Sequence, residues 1–151
     1  MIFVSWNSRG LGSSLKSNAA RDIIRQEQLD IFLIQETKMS SQDFKKLMKK
    51  QKSFEGTTTD SIGASGGIGT IWNKGKWELT SQKLNNWWVR TDLKNKTTNE
   101  EFIVLNIYVT HHYRDKALCW DSVKTEVQEC QRNKFVLGGN LNLIRNIEEK
   151  M

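Results

Sequence analysis
The 151-residue chain has no proline, only two cysteines, two histidines and no long apolar run, and each shortage narrows what it can be. The opening stretch, IFVSW directly after Met1, lacks the basic flank and small-residue cleavage site of a signal peptide and is far too short to span a bilayer. An intracellular protein, nuclear or cytoplasmic and without a membrane partner, is expected. Cys119 and Cys130 both fall in a segment that reads helical, where the helical rise separates them by about 16 Å, beyond the reach of a disulfide. Two sulfurs without well-spaced histidines also exclude a structural zinc site. The glycines at 63, 66, 67 and 69 are not followed by the lysine and hydroxyl residue of a phosphate loop, so they predict a hairpin. There is no internal repeat, low-complexity tract or linker, and residues 1–151 read as a single domain.

What is present is a set of short apolar runs. Aliphatic and aromatic residues make up 37% of the chain, enough for a packed core. IFVSWN predicts a strand ending at Asn7, followed by the turn-rich SRGLGSS. A helix capped by Ser17 or Asn18 should run to about Gln28, with an apolar stripe through Ala20, Ile23, Ile24 and the region of Glu27. DIFLIQET predicts a second strand ending at Glu36. SSQDFKKLMKKQK predicts an amphipathic helix with Phe44, Leu47 and Met48 on one side. From Phe54 to Leu93, short runs separated by turn residues read as an antiparallel meander. Residues 101–109 form a further strand, a helix is expected over Asp115–Gln131 with Leu118, Val123 and Val127 among its apolar positions, and KFVLGG is the last strand. Helices alternating with strands at both ends predict a layered α/β domain.

The net charge of +6 favours polyanionic partners. The lysines of the second helix read as a solvated face rather than a DNA contact. Among six tryptophans, the adjacent Trp87 and Trp88 are candidates for stacking on bases, but neighbours on a strand face opposite ways, so at least one belongs to the core.

The apolar strands finish at polar side chains: Asn7, Glu36, Tyr108, and the pair Asn140 and Asn142 after FVLGG. In layered sheets the loops beyond strand ends are where sites are built, so these residues are expected to share one rim. One carboxylate among amides and a phenol suits a hard cation such as Mg²⁺. His111 and His112 follow the Tyr108 strand and read as a turn pair.

WNSRGLGSSLKS at 6–17, DIFLIQETK at 30–38, GASGGIGTIWNKGKW at 63–77, NIYV at 106–109 and FVLGGNLNLIRNIEEK at 135–150 resemble, in order and spacing, the endonuclease/exonuclease/phosphatase superfamily. The likeness is to the apurinic-type endonuclease domain of plant non-LTR retrotransposons. It implies a two-sheet α/β sandwich of the deoxyribonuclease type and hydrolysis of DNA phosphodiesters by direct attack of water with Mg²⁺ or Mn²⁺. It also implies DNA, met through its phosphate backbone, as partner, with no obligate protein partner. On this resemblance Asn7 and Glu36 hold the metal, Tyr108 contacts the scissile phosphate, and Asn140 and Asn142 complete the catalytic group.

Two departures stand out. Asn140 falls where the family has aspartate, so shape is kept while the capacity to accept a proton is lost. The family's Ser-Asp-His segment has no counterpart, so the sandwich is expected to be incomplete at the C-terminus, leaving a bare sheet edge and part of an apolar face. The resemblance therefore implies an endonuclease domain fragment with impaired catalysis. A basic nucleic-acid-binding remnant without catalysis, or a fragment with no selected role, stands as the alternative.

Overall fold
A computed structural model describes residues 1–26, 28–62, 65–131 and 133–142. The elements run β1 (Phe3–Asn7), α1 (Ser14–Gln26), β2 (Ile31–Gln35), α2 (Ser41–Lys49), β3 (Phe54–Ile62), β4 (Ser65–Asn73), β5 (Trp77–Leu84), β6 (Trp88–Asn95), β7 (Glu101–Tyr108), α3 (Tyr113–Cys130) and β8 (Phe135–Asn140). Among the described residues they build two four-stranded sheets, ordered β1-β2-β4-β3 and β5-β6-β7-β8. β1 pairs with β2 and β7 with β8 in parallel; the other neighbours are antiparallel. This is the expected two-sheet α/β sandwich.

The alternation of side chains along β2 explains the layering. Phe32 and Ile34 point outward to join Ala20, Ile24, Phe44 and Leu47 beneath α1 and α2. Ile31 and Leu33 point inward and meet Trp72, Trp77, Leu93 and Val104 between the sheets. A strand covered on both faces reads as an unbroken apolar run, which is why IFLIQ shows no polar alternation. Leu105, Ile107, Cys119 and Val123 form the third layer, under α3. Each fully buried Leu, Ile or Phe contributes about 1.5–3 kcal/mol.

Several expectations are corrected. α1 begins at Ser14, because Ser13 takes the capping role: its Oγ accepts from Lys16 N at 3.3 Å and its carbonyl accepts from Ser17 N at 3.0 Å. A run of serines offers several caps, and periodicity does not choose between them. Glu27, in the expected stripe, and Gly63, in the expected hairpin, lie outside the described residues. α3 begins at Tyr113, and Leu118 is 61% exposed; Cys119, Val123, Glu126 and Cys130 make the buried face instead. Both cysteines are free. The meander is two separate pieces, since β3 and β4 join the first sheet while β5 and β6 join the second. The switch occurs at Asn73–Lys76, where Asn73 Oδ1 accepts from Gly75 N at 2.9 Å. Trp72 and Trp77, on either side of that turn, both anchor the core between the sheets.

β8 forms one edge of its sheet among the described residues, and its Leu137 and the following Leu141 are 41% and 36% exposed. No helix among the described residues is long and apolar enough to cross a membrane.

Candidate active site
Parallel pairing places the site. Because β1 runs alongside β2, Asn7 comes level with Gln35, one residue before Glu36; because β7 runs alongside β8, Tyr108 comes level with Asn140. The carboxyl ends of both pairs therefore open on the same rim. Asn7 Nδ2 donates to Glu36 Oε1 at 3.0 Å, and Asn7 Oδ1 accepts from Arg9 N at 3.2 Å. The Tyr108 phenol lies against both Glu36 and Asn142. Burial raises its pKa above the ordinary tyrosine value, and the negative charge of Glu36 adds to the rise, so it stays a neutral donor near pH 7. Asn140 and Asn142 form a tight turn in which Asn140 Oδ1 accepts from Asn142 N at 2.9 Å. Asn142 Nδ2 donates to the Val109 carbonyl and Lys116 Nζ to the Asn142 carbonyl, at 3.2 Å for the second, so the turn is tied to the end of β7 and to α3. All five residues expected at the rim are brought to it.

The backbone around the mouth is held in left-handed conformations: φ is 50° at Arg9, 51° at Glu36, 51° at Lys38 and 46° at Asn142. Such residues cost on the order of 1–3 kcal/mol each and persist where their surroundings over-determine them. Those surroundings are visible at Glu36, whose carbonyl accepts from Gly10 N at 2.6 Å and Ser8 Oγ at 3.0 Å. Thr37 N donates to the Gly67 carbonyl at 3.1 Å and Lys38 N to the Gly66 carbonyl at 3.0 Å. The backbone at Gly139, with φ of 138°, sets the Ile107 carbonyl where a Cβ would sit, so no other residue can precede Asn140 without moving it.

Beneath the mouth, Asn106 links the two sheets. Its Oδ1 accepts from Gln35 Nε2 at 2.8 Å and its Nδ2 donates to the Gly69 carbonyl at 2.9 Å, with Thr70 Oγ1 at 3.3 Å. Sequence reasoning missed both Gln35 and Asn106. The signal was there: each is an amide inside an otherwise apolar strand, IFLIQ and IVLNIYV, where a side chain that must be buried has to find partners.

The sequence profile described as the Endonuclease/Exonuclease/phosphatase family matches residues 4–146. The chain belongs to this family. Among solved structures, this endonuclease/exonuclease/phosphatase domain is similar to a humanized D. rerio TDP2, at 12% identity and a TM-score of 0.75 over 94% of this chain and 66% of that one. It is similar to the 3′ phosphatase NExo from Neisseria bound to a product DNA hairpin, at 14% identity and 0.75 over 95% and 59%. It is also similar to the AP endonuclease LMAP from Leishmania major, at 18% identity and 0.67 over 93% and 55%. Identities this low show a common fold. The chain spans 55% to 66% of the length of these three structures. Nothing among curated proteins matches it.

Enzymes of the endonuclease/exonuclease/phosphatase family generally use divalent metal ions. Among the described residues of this domain, no three His, Cys, Asp or Glu side chains come together to hold one. Next to Tyr108 a cavity of about 380 Å³ is lined by Trp87, Asp60, Asp115 and the exposed His111 and His112. The two imidazoles lie with centroids 4.5 Å apart, and His112 N donates to Thr110 Oγ1 at 3.1 Å, as befits a turn pair. Trp88 is in the core, donating Nε1 to Ser122 Oγ at 2.9 Å, while Trp87 is half-buried at the cavity.

Proposed function
We propose that this domain is a metal-dependent phosphodiester hydrolase of the DNA-endonuclease type, derived from a retrotransposon-like element, with turnover held down by the amide at Asn140. The observation that carries the reading is the meeting of Glu36, Asn7, Tyr108 and Asn142 on one rim. One carboxylate among amides and a phenol is a hard-oxygen donor set, unsuited to zinc and suited to Mg²⁺ or Mn²⁺, which keep waters and draw on substrate phosphate for the rest of their shell. The residues present thus fit such an ion. Glu36 would hold it directly. Asn7, whose amide nitrogen faces Glu36 while its oxygen accepts from Arg9 N, would hold it by fixing that carboxylate.

A bound divalent ion supplies positive charge to the phosphate and makes water more acidic. The chain's own residues do the rest. Tyr108, neutral and steered by Asn142, would donate to a phosphate oxygen. Asn140 spends its oxygen on the Asn142 amide, so an NH₂ group stands where a carboxylate would offer a second oxygen. An amide nitrogen takes no proton from attacking water, and a lost general base costs about 10² to 10⁴ in rate.

Nicking of supercoiled DNA with Mg²⁺ or Mn²⁺ tests this. Asn140→Asp is expected to raise the rate by about 10² or more, and Glu36→Ala in that background to abolish it. An Asn140→Asp variant that is folded yet does not cleave removes the hydrolase reading. A parent chain that cleaves as fast as Asn140→Asp removes the claim of impairment.

Binding without cleavage is the second reading, favoured by the net charge of +6 beside a site that lacks its base. A mobility-shift series should then weaken steeply with salt.

A further inference from the structure
A second feature lies on the outer side of the loops that wall the mouth. Between α1 and α2 runs a groove of about 320 Å³, lined by Arg21, Lys38, Lys46, Lys50, Asp43 and Gly12. Its cations come from three separate elements: Arg21 from α1, Lys38 from the loop after β2, and Lys46 and Lys50 from α2 and its C-cap. Against four positive charges stands Asp43, which pairs with Lys46 at 3.6 Å in the open, where such pairs contribute little. Among the described residues, Lys38 and Lys50 have no carboxylate within 4.0 Å. Arg21 gives Nη1 to Asn18 Oδ1 at 3.3 Å, but its Nε is buried with no acceptor among the described residues. Its contact with Asn18 lies in the open, so the outer end of this guanidinium can take a phosphate oxygen.

The groove is joined to the mouth. Lys38 follows Glu36 by two residues, and its Cδ lies 3.4 Å from where a Cβ on Gly10 would sit, so its stem crosses the loop that leaves Asn7. That loop is fixed: Lys16 Nζ donates to the Ser8 carbonyl at 2.7 Å and the Arg9 carbonyl at 3.0 Å.

The geometry points to this groove as the seat for backbone phosphates of the DNA strand that flank the one presented to Glu36, with Arg21, Lys46 and Lys50 as its contacts. The inference rests on the proposed phosphodiester substrate but not on turnover, because the groove holds phosphate without metal or base. It makes the lysine face of α2, which the sequence reads as merely solvated, part of the binding surface.

The test is fluorescence anisotropy of the whole chain with a labelled duplex in EDTA across a salt series, comparing the parent with Lys46→Glu/Lys50→Glu and Lys46→Arg/Lys50→Arg. Charge reversal should weaken binding at least about tenfold and flatten the log–log salt slope by about 2, near 0.9 for each phosphate no longer neutralised, and the arginine pair should restore both. Both variants should keep the parent's circular dichroism. Because the comparison is made in EDTA and reads binding alone, failure of the nicking test with the groove effect intact would sink the hydrolase reading alone. Unchanged affinity and slope in the charge-reversed variant overturn the inference. So does capture of phosphatidylserine vesicles in preference to duplex, or protection by millimolar inorganic phosphate of a groove that duplex does not occupy.

Discussion

Replacing Asn106 with leucine measures how much of the site's rigidity rests on one buried amide. Asn106 is fully buried, and its side chain is bonded to β2 through Gln35 and to β4 through the Gly69 carbonyl. Leucine has nearly the same bulk but offers neither bond. The Gly69 carbonyl loses a donor, and Gln35 Nε2 keeps only Ser5 Oγ at 3.3 Å. Two buried groups left short cost about 1–3 kcal/mol each, while the added apolar surface returns about 1–2 kcal/mol, leaving a net loss of about 2.5 kcal/mol at the middle of those ranges. Urea unfolding followed by tryptophan fluorescence should show a midpoint about 1–2 M lower with an unchanged slope. Gln35→Leu/Asn106→Leu should recover part of the loss, because removing both partners is less costly than stranding one. An Asn106→Leu midpoint within error of the parent would refute the claim that this amide clamps the sheets together.

Gly139→Ala drives a Cβ into the Ile107 carbonyl at a positive φ, and should lower stability by about 3 kcal/mol or more in thermal denaturation. Arg90→Leu strands Glu126, which is buried and bonded to Arg90 Nη1 at 2.7 Å; a loss of about 3 kcal/mol is expected, tempered by Lys83 at 3.6 Å from the same oxygen and relieved by adding Glu126→Gln. Burial pushes the Asp30 carboxyl up, but bonds from the Ile2 amide, Lys76 and Trp77 outweigh it, and its pKa lies below the ordinary aspartate value. The folded state therefore holds this proton more weakly than the unfolded chain, so the stabilisation is full above the unfolded pKa and is lost as pH falls through the folded one. Melting curves of parent and Asp30→Asn should be well separated at pH 7 and converge as pH drops below about 4; a pH-independent gap would contradict this.

The parts of this molecule legible in its sequence are those governed by local pattern. Apolar runs such as IFLIQ and IVLNI could be little other than buried strands, and the polar residues ending them were candidates for a shared rim because layered sheets build sites in the loops beyond strand ends. Longer-range choices were not legible. Nothing in GTIWNKGKWEL shows that the chain changes sheets at Asn73–Lys76, since a strand's alternation is the same in either sheet. Leu118 was misplaced because α3 buries Cys119, Glu126 and Cys130, and the glutamate is admitted by Arg90 and Lys83 from other elements. The Gln35–Asn106 bond joins residues 71 positions apart, a pairing visible only once the sheets are stacked.

The most direct measurement is Mn²⁺ binding to the whole chain, followed by electron paramagnetic resonance and competed with Mg²⁺, for the parent and for Glu36→Gln. One Mg²⁺-displaceable ion is expected on the parent and none on Glu36→Gln, with the same circular dichroism for both. Equal binding by the two proteins, or none by a folded parent, would contradict this.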